Sequence, residues 1–199
     1  MLLERIYDED LAQASYLIGC QASGEALVID PRRDLGEVLS RAQAHGLRIV
    51  AVTETHIHAD YLAGTRELAA ATGATVYVSD EGGPDWTYGP EFDGAVRMKD
   101  GHCIRIGNLT VEAVHTPGHT PGSVCLLCGE LLFSGDTLFA GSCGRTDFPG
   151  GSMQQMQQSL SLLAELPIPD TVQVLPGHES FSTLGRERRS NPYMNGAWF

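Results

Sequence analysis

Thr53-Glu54-Thr55-His56-Ile57-His58-Ala59-Asp60 follows directly on the apolar run Ile49-Val50-Ala51-Val52. His56, His58 and Asp60 fall at every second position, so a strand ending here delivers two imidazoles and a carboxylate to one rim of a sheet. Imidazole is a neutral ligand for zinc or iron and carboxylate a hard anionic one. Such a cluster can therefore grip a divalent cation without thiolates. His-x-His pairs also arise on ordinary solvated loops, so the stretch has to be read against the rest of the chain.

Three further strand-like runs end the same way. Val111-Glu112-Ala113-Val114 leads into His115-Thr116-Pro117-Gly118-His119-Thr120, Leu131-Leu132-Phe133-Ser134 into Gly135-Asp136, and Val172-Gln173-Val174-Leu175 into Pro176-Gly177-His178. Each is a buried-type apolar strand, a Gly or Pro turn, then a potential ligand. Any one alone reads as a surface histidine or turn aspartate. Four together can converge on one edge of a sheet sandwich, with the sheets supplying rigidity and the turns reach.

The rest of the chain supplies the frame. A β-meander is expected over Leu3 to Tyr7, Ala14 to Cys20 and Ala26 to Ile29, then a helix over Leu35 to Ala44 capped by Asp34. After the strand at 48–53, a helix is expected over Leu62 to Thr72, closed by Gly73, and a strand over Thr75 to Val78. Asp80 to Gly101 reads as a long loop anchored by Trp86, Tyr88 and Phe92. Strands recur to residue 134, a helix opens at Ser152-Met153 and runs to about Glu165, and a last strand (171–175) precedes a helix from Ser182 to Ser190. Two halves, each strands then helix, predict an α/β four-layer αββα sandwich with helices outside both sheets.

At 199 residues and 42% apolar content, one domain spanning 1–199 is expected. The N-terminal segment Met1 to Asp10 is charged too early for a signal peptide, and no apolar run approaches the ~20 residues of a membrane span. The expectation is a cytoplasmic protein with no membrane partner. Five cysteines form no regular framework, consistent with a reducing compartment. Cys125 and Cys128 lie three apart on a strand, so they point to opposite faces and read as small buried residues rather than a redox or zinc pair. A net charge of −12 argues against nucleic acid. It leaves an anionic substrate in need of local help. Arg145 is the candidate, either clamping substrate or fixing its own Gly-rich loop, with Arg186, Arg188 and Arg189 clustered later. His119 is expected to hydrogen-bond within its own turn, Asp30 and Asp147 to cap loop amides, and His45 and His102 to lie on the surface.

In order and spacing, His56-x-His58-x-Asp60, His115 with Pro117-Gly118-His119-Thr120, Gly135-Asp136 and Gly177-His178 resemble the metallo-β-lactamase fold hydrolases and oxygenases over nearly the whole chain. A narrower resemblance is to the persulfide dioxygenase branch. It rests on Ile29-Asp30-Pro31-Arg32-Arg33-Asp34, the stretch Glu54 to Tyr61, Gly144-Arg145-Thr146-Asp147-Phe148-Pro149-Gly150-Gly151, and Glu187-Arg188-Arg189-Ser190-Asn191-Pro192. Binuclear zinc members hold a second metal through residues at the positions of Asp60, the residue after it, and His178. Here that residue is Tyr61, a phenol with a pKa of about 10 and a poor ligand beside imidazole.

The resemblance implies one Fe(II) per chain, held by His56, His115 and Asp136 as two imidazoles and a carboxylate with positions left open. His58, Asp60 and His178 then support these ligands or hold a second metal, and Arg145 and Tyr61 face substrate. In that branch a low-molecular-weight thiol persulfide, such as glutathione persulfide, is oxidised with O2 to sulfite and thiol. The alternative is a zinc thioester hydrolase resembling glyoxalase II. Its C-terminal helical extension has little room in a chain that continues about twenty residues past His178. A third reading, a binding domain with a vestigial site, leaves four ligand-bearing strand ends without a purpose. Some bacterial members are fused to rhodanese domains, which makes a rhodanese a candidate functional partner. The oligomeric state is open, a homodimer included.

Overall fold

The computed structural model describes residues 1–58 and 63–196. In chain order the elements are β1 (Leu2–Asp8), β2 (Gln13–Cys20), β3 (Glu25–Ile29), α1 (Gly36–Ala44), β4 (Arg48–Thr53), α2 (Thr65–Thr72), β5 (Thr75–Ser79) and β6 (Val96–Met98). They continue with β7 (Cys103–Ile106), β8 (Leu109–His115), β9 (Val124–Cys128), β10 (Leu131–Gly135), β11 (Leu138–Phe139), β12 (Ser142–Cys143), α3 (Met153–Glu165), β13 (Gln173–Pro176), β14 (Ser182–Thr183) and α4 (Leu184–Ser190). The first sheet runs β1-β2-β3-β4-β5-β6 and the second β14-β13-β10-β9-β8-β7, with β11 and β12 forming a separate hairpin.

Alternation along each strand sorts its side chains into layers. Tyr16, Ile18, Leu27 and Ile29 of the first sheet meet Ile104, Val111, Leu126 and Phe133 of the second in a core between the sheets. Their intervening neighbours, Leu17, Val28 and Val52, face outward onto Val38 and Ala42 of α1 and Leu68 of α2. On the far side Val114, Cys125, Leu132 and Val174 pack against Met156, Leu160 and Leu163 of α3 and Leu184 of α4. This is the expected αββα sandwich. Cys125 and Cys128 fall in different layers, one under α3 and one between the sheets, as their spacing requires. Tyr16 and Phe133 meet edge to face at 5.1 Å across the central layer, and the Tyr16 hydroxyl donates to the Pro176 carbonyl at 2.6 Å.

Local signals set most boundaries. Asp34 does not cap α1 as expected: Leu35 holds the N-cap position without a side-chain bond, and the Asp34 carboxylate accepts from the Gly36 amide at 3.0 Å in the turn before it. The helix α2 stops at Gly73, whose φ of 73° supplies the left-handed turn. Ser152 caps α3 by accepting from the Gln155 amide. Several segments differ from expectation: α2 begins at Thr65 rather than Leu62, and Ser182–Thr183, expected to open the last helix, form the strand β14 against β13 so that α4 starts at Leu184. The stretch 80–101 holds a 3-10 turn (Pro90–Phe92) and the short strand β6, which pairs parallel to β5. The β11–β12 hairpin, too short for a periodic signal, rises just after Asp136. No helix among the described residues is long and apolar enough to cross a membrane.

Candidate metal centre

The ends of β4, β10 and β13 and the turn after β8 converge on one rim of the sandwich. His56, His119 and Asp136 come together there, each offering a ligand atom within 4.8 Å of the others. All three are at least nine-tenths buried. The His56 ring stands perpendicular to that of His119 at 4.7 Å. Gly177, after β13, lets the chain pass the carboxylate: a Cβ there would lie 2.5 Å from Asp136 Oδ1.

The imidazoles are oriented by acceptors from elsewhere in the fold. Thr55 Oγ1 donates to Asp30 Oδ2 at 2.7 Å, so the same oxygen accepts from His56 Nδ1 at 2.9 Å. His119 Nδ1 donates to the Arg145 carbonyl at 2.9 Å, and His178 Nδ1 to the Ala12 carbonyl at 2.8 Å. In all three rings the proton is fixed on Nδ1, which leaves Nε2 as the face turned to the site. The Nε2 atoms of His119 and His178 lie 3.6 and 3.4 Å from Asp136 Oδ2. Nε2 atoms converging on a carboxylate, with Nδ1 held by a hydrogen bond, are the donor set a divalent metal requires, so these residues fit such an ion.

The electrostatics agree. Burial, then the neighbouring His58, pushes the His56 pKa down to about 3, so His56 is neutral at pH 7. Burial alone would raise the Asp136 carboxyl. In acid, where the neighbouring imidazoles carry a second proton, the hydrogen bond from His178 Nε2 and the charges of His56, His178 and His119 outweigh it and hold Asp136 well below the usual carboxylate range. His58 differs from its neighbours, because its Nε2 donates to Asp30 Oδ1 at 3.2 Å. Burial lowers the His58 pKa, but Asp30 more than offsets this and the net shift is upward. His58 thus stands behind His56, ring centroids 4.1 Å apart, as the partner of Asp30.

His115 is not part of this group, contrary to the sequence expectation. It is the last residue of β8, and its Nε2 donates to the Pro121 carbonyl at 2.9 Å, closing the turn that carries His119 inward. The sequence reading chose the histidine nearest the strand end. The Pro117-Gly118 turn instead folds the second one onto the site, where it bonds to Arg145 rather than within its own turn. Asp60 and Tyr61 lie outside the described residues. Asp30 does cap a loop amide, that of Thr55 at 2.6 Å, and was missed as the residue that also orients His56 and His58. Its φ of 49° is left-handed, which Asp tolerates better than most residues.

Beside the cluster opens a cavity of about 700 Å³, bordered by Ile57, Phe139, Cys143, Phe148, His178 and Arg145 among others. Phe148 packs edge-on against His119 at 5.0 Å. Arg145 is the one cation among the described lining residues. Its side chain is largely exposed and forms a two-point ion pair with Asp147 at 2.8 and 3.2 Å. It therefore holds its own loop, as one of the two sequence readings expected, while bordering the cavity mouth.

Residues 8–178 match the family described as the metallo-beta-lactamase superfamily. A metallo-beta-lactamase from Staphylococcus aureus subsp. aureus COL superposes with a TM-score of 0.91 and 38% identity, covering 97% of this chain and 63% of that one. ETHE1 from Myxococcus xanthus gives a TM-score of 0.89 at 32% identity, covering 98% and 85%. Among sequences, the chain is 30% identical to hydroxyacylglutathione hydrolase GloC of Haemophilus influenzae over 85% of this chain and 87% of that protein. It is 29% identical to the mitochondrial persulfide dioxygenase ETHE1 of Bos taurus over 98% and 76%. The αββα sandwich, the His56, His119 and Asp136 cluster at its rim and these matches together make the chain a member of the metallo-beta-lactamase superfamily.

Proposed function

We propose that the protein is an iron-dependent persulfide dioxygenase, oxidising a low-molecular-weight thiol persulfide with O2 and water to sulfite and the parent thiol. The observation that carries this reading is the composition of the cluster: two imidazoles and one carboxylate, His56, His119 and Asp136, beside an open cavity. One Fe(II) held by these three residues would supply open coordination positions that dioxygen and a soft sulfur ligand can share. Similarity to two ETHE1 proteins supports the reading.

The chain's own residues account for the rest. Asp30 through Thr55, the Arg145 carbonyl and the Ala12 carbonyl keep the proton on Nδ1 of three rings. Ile57, Phe139 and Phe148 give the cavity apolar walls that limit water around a reactive sulfur. His178, beside Asp136 at the cavity wall, is placed to hold or pass a proton as sulfite and thiol leave.

The second reading, a zinc-dependent thioester hydrolase, draws on the similarity to GloC. Tyr61 in place of a second-metal histidine weighs against it. Counting metals in protein from iron- and zinc-replete cells, while following O2 uptake with glutathione persulfide, separates the two. Stoichiometric iron, O2 consumption and sulfite release support the dioxygenase; two zincs with thioester cleavage and no O2 uptake refute it.

A further inference from the structure

The segment Glu187 to Pro192 carries no group that reaches the cluster, yet two of its side chains, Glu187 and Asn191, are fully buried. A carboxylate and an amide removed from water need partners. They find them on the β11–β12 hairpin. Glu187 Oε2 accepts from the Gly141 amide at 2.7 Å and from Asn191 Nδ2 at 2.9 Å, and its Oε1 accepts from the Ser182 hydroxyl. Asn191 Nδ2 also faces the Ser142 carbonyl at 2.9 Å and the Phe139 carbonyl at 3.3 Å. Four of the hairpin's residues, Phe139 to Ser142, contain three of these contacts. A two-residue strand pair has almost no stability of its own, so its position is set by this clasp.

The hairpin is also a wall of the cavity, through Phe139, Ser142 and Cys143. Two residues on, the Arg145 carbonyl accepts from His119 Nδ1. We propose that Glu187 and Asn191 are positioning residues, through which the C-terminal helix α4 fixes the β11–β12 hairpin as a rigid wall of the active-site cavity. That this wall grips the thiol carrier rests on the persulfide reading; the clasp itself does not.

Cys143 provides a direct readout. It is half-buried in the wall, and burial pushes its thiol up to about 11, so in the intact clasp it alkylates slowly. Asn191→Asp sets a second carboxylate against Glu187 and two carbonyls at unchanged size, and Glu187→Ala removes the acceptor. Glu187→Gln can keep the clasp, its oxygen taking the Gly141 and Asn191 donors while its amide donates to Ser182. With iodoacetamide and peptide mapping, Asn191→Asp and Glu187→Ala should alkylate Cys143 roughly tenfold faster or more, with Glu187→Gln restoring the slow rate. Under the persulfide reading the two disruptive variants also raise KM more than they lower kcat, with bound metal per chain retained. Wild-type alkylation rates in folded Asn191→Asp, or Glu187→Gln reacting as fast as Glu187→Ala, would overturn the proposal. If Asn191→Asp does not fold, Ser182→Ala decides: an intermediate rate supports the clasp and a wild-type rate overturns it. Failure of O2 uptake in every variant, wild type included, would instead count against the persulfide reading and leave the alkylation result standing.

Discussion

Asp30→Asn tests how the metal centre is held, at a position that touches none of the cavity. Asp30 accepts from the Thr55 amide and from His58 Nε2 on Oδ1, and from the Thr55 hydroxyl on Oδ2. Asparagine has one oxygen. If that oxygen stays on the Thr55 amide and His58, the new amide faces the Thr55 hydroxyl, which then loses its acceptor. Its proton turns to His56 Nδ1, the imidazole switches tautomer, and the proton on Nε2 blocks the lone pair a metal needs. The change trades a charge-assisted hydrogen bond for a poor contact, worth about 1.5–3 kcal/mol. Since 1.4 kcal/mol is tenfold, metal affinity should fall by roughly 10- to 100-fold, the range typical of groups that orient metal ligands. Backbone strain does not confound the result, because Asn accepts the left-handed φ at residue 30 as well as Asp does. Chelator competition with Fe(II) and Zn(II), with the thermal midpoint of the metal-free protein as a control on folding, measures the effect. Metal affinity within twofold of wild type in a folded Asp30→Asn variant would refute the orienting role.

Two further outcomes follow from the same geometry. His119→Ala should lose bound metal and activity together, whereas His115→Ala, which removes only a bond to the Pro121 carbonyl, should keep most of its metal; metal analysis of the paired variants checks this, and the opposite pattern would restore His115 as the ligand. For the metal-free protein, His56 has its folded pKa lowered to about 3 from 6.5, so the unfolded chain takes up the proton first and stability falls as pH drops below about 6.5. The slope approaches about 1.4 kcal/mol per pH unit. The raised His58 pKa acts above 6.5 instead, where stability falls as pH rises, and Asp136 enters only below about 3.8. Urea unfolding between about pH 6.5 and 4.5 should therefore show a steeper loss in wild type than in His56→Asn, and parallel curves would contradict it.

The layered sandwich was legible because burial on both sheet faces imposes patterns that a sequence cannot hide. Leu17 and Ile18 sit side by side on β2 and face different cores, and Cys125 and Cys128 separate in the same way. Gly73 and Ser152 marked helix ends through local chemistry alone. The β11–β12 hairpin gave no such signal. Two-residue strands have no periodicity to read, and this pair is held by residues about fifty positions away. The rim carrying the candidate site was legible for the same reason as the core, since His56, His119 and Asp136 each follow an apolar strand.

Choosing between His115 and His119 was a different kind of problem. Both histidines lie in one six-residue stretch, and propensity treats them alike. What separates them is where the chain sets each ring: His119 lies within 4.8 Å of the His56 and Asp136 ligand atoms and His115 is outside that group. His115 spends Nε2 on the Pro121 carbonyl, while His119 spends Nδ1 on Arg145, 26 residues away, and keeps Nε2 for the site. His56 and His178 follow the same rule with acceptors supplied by Asp30 through Thr55 and by Ala12. Which nitrogen a histidine keeps for the site is thus decided by the carbonyl or hydroxyl that claims the other, and for His119 and His178 that partner is in place only when the fold closes. This is why Asp30, read from sequence as a loop cap, emerges as the residue on which the orientation of two imidazoles depends.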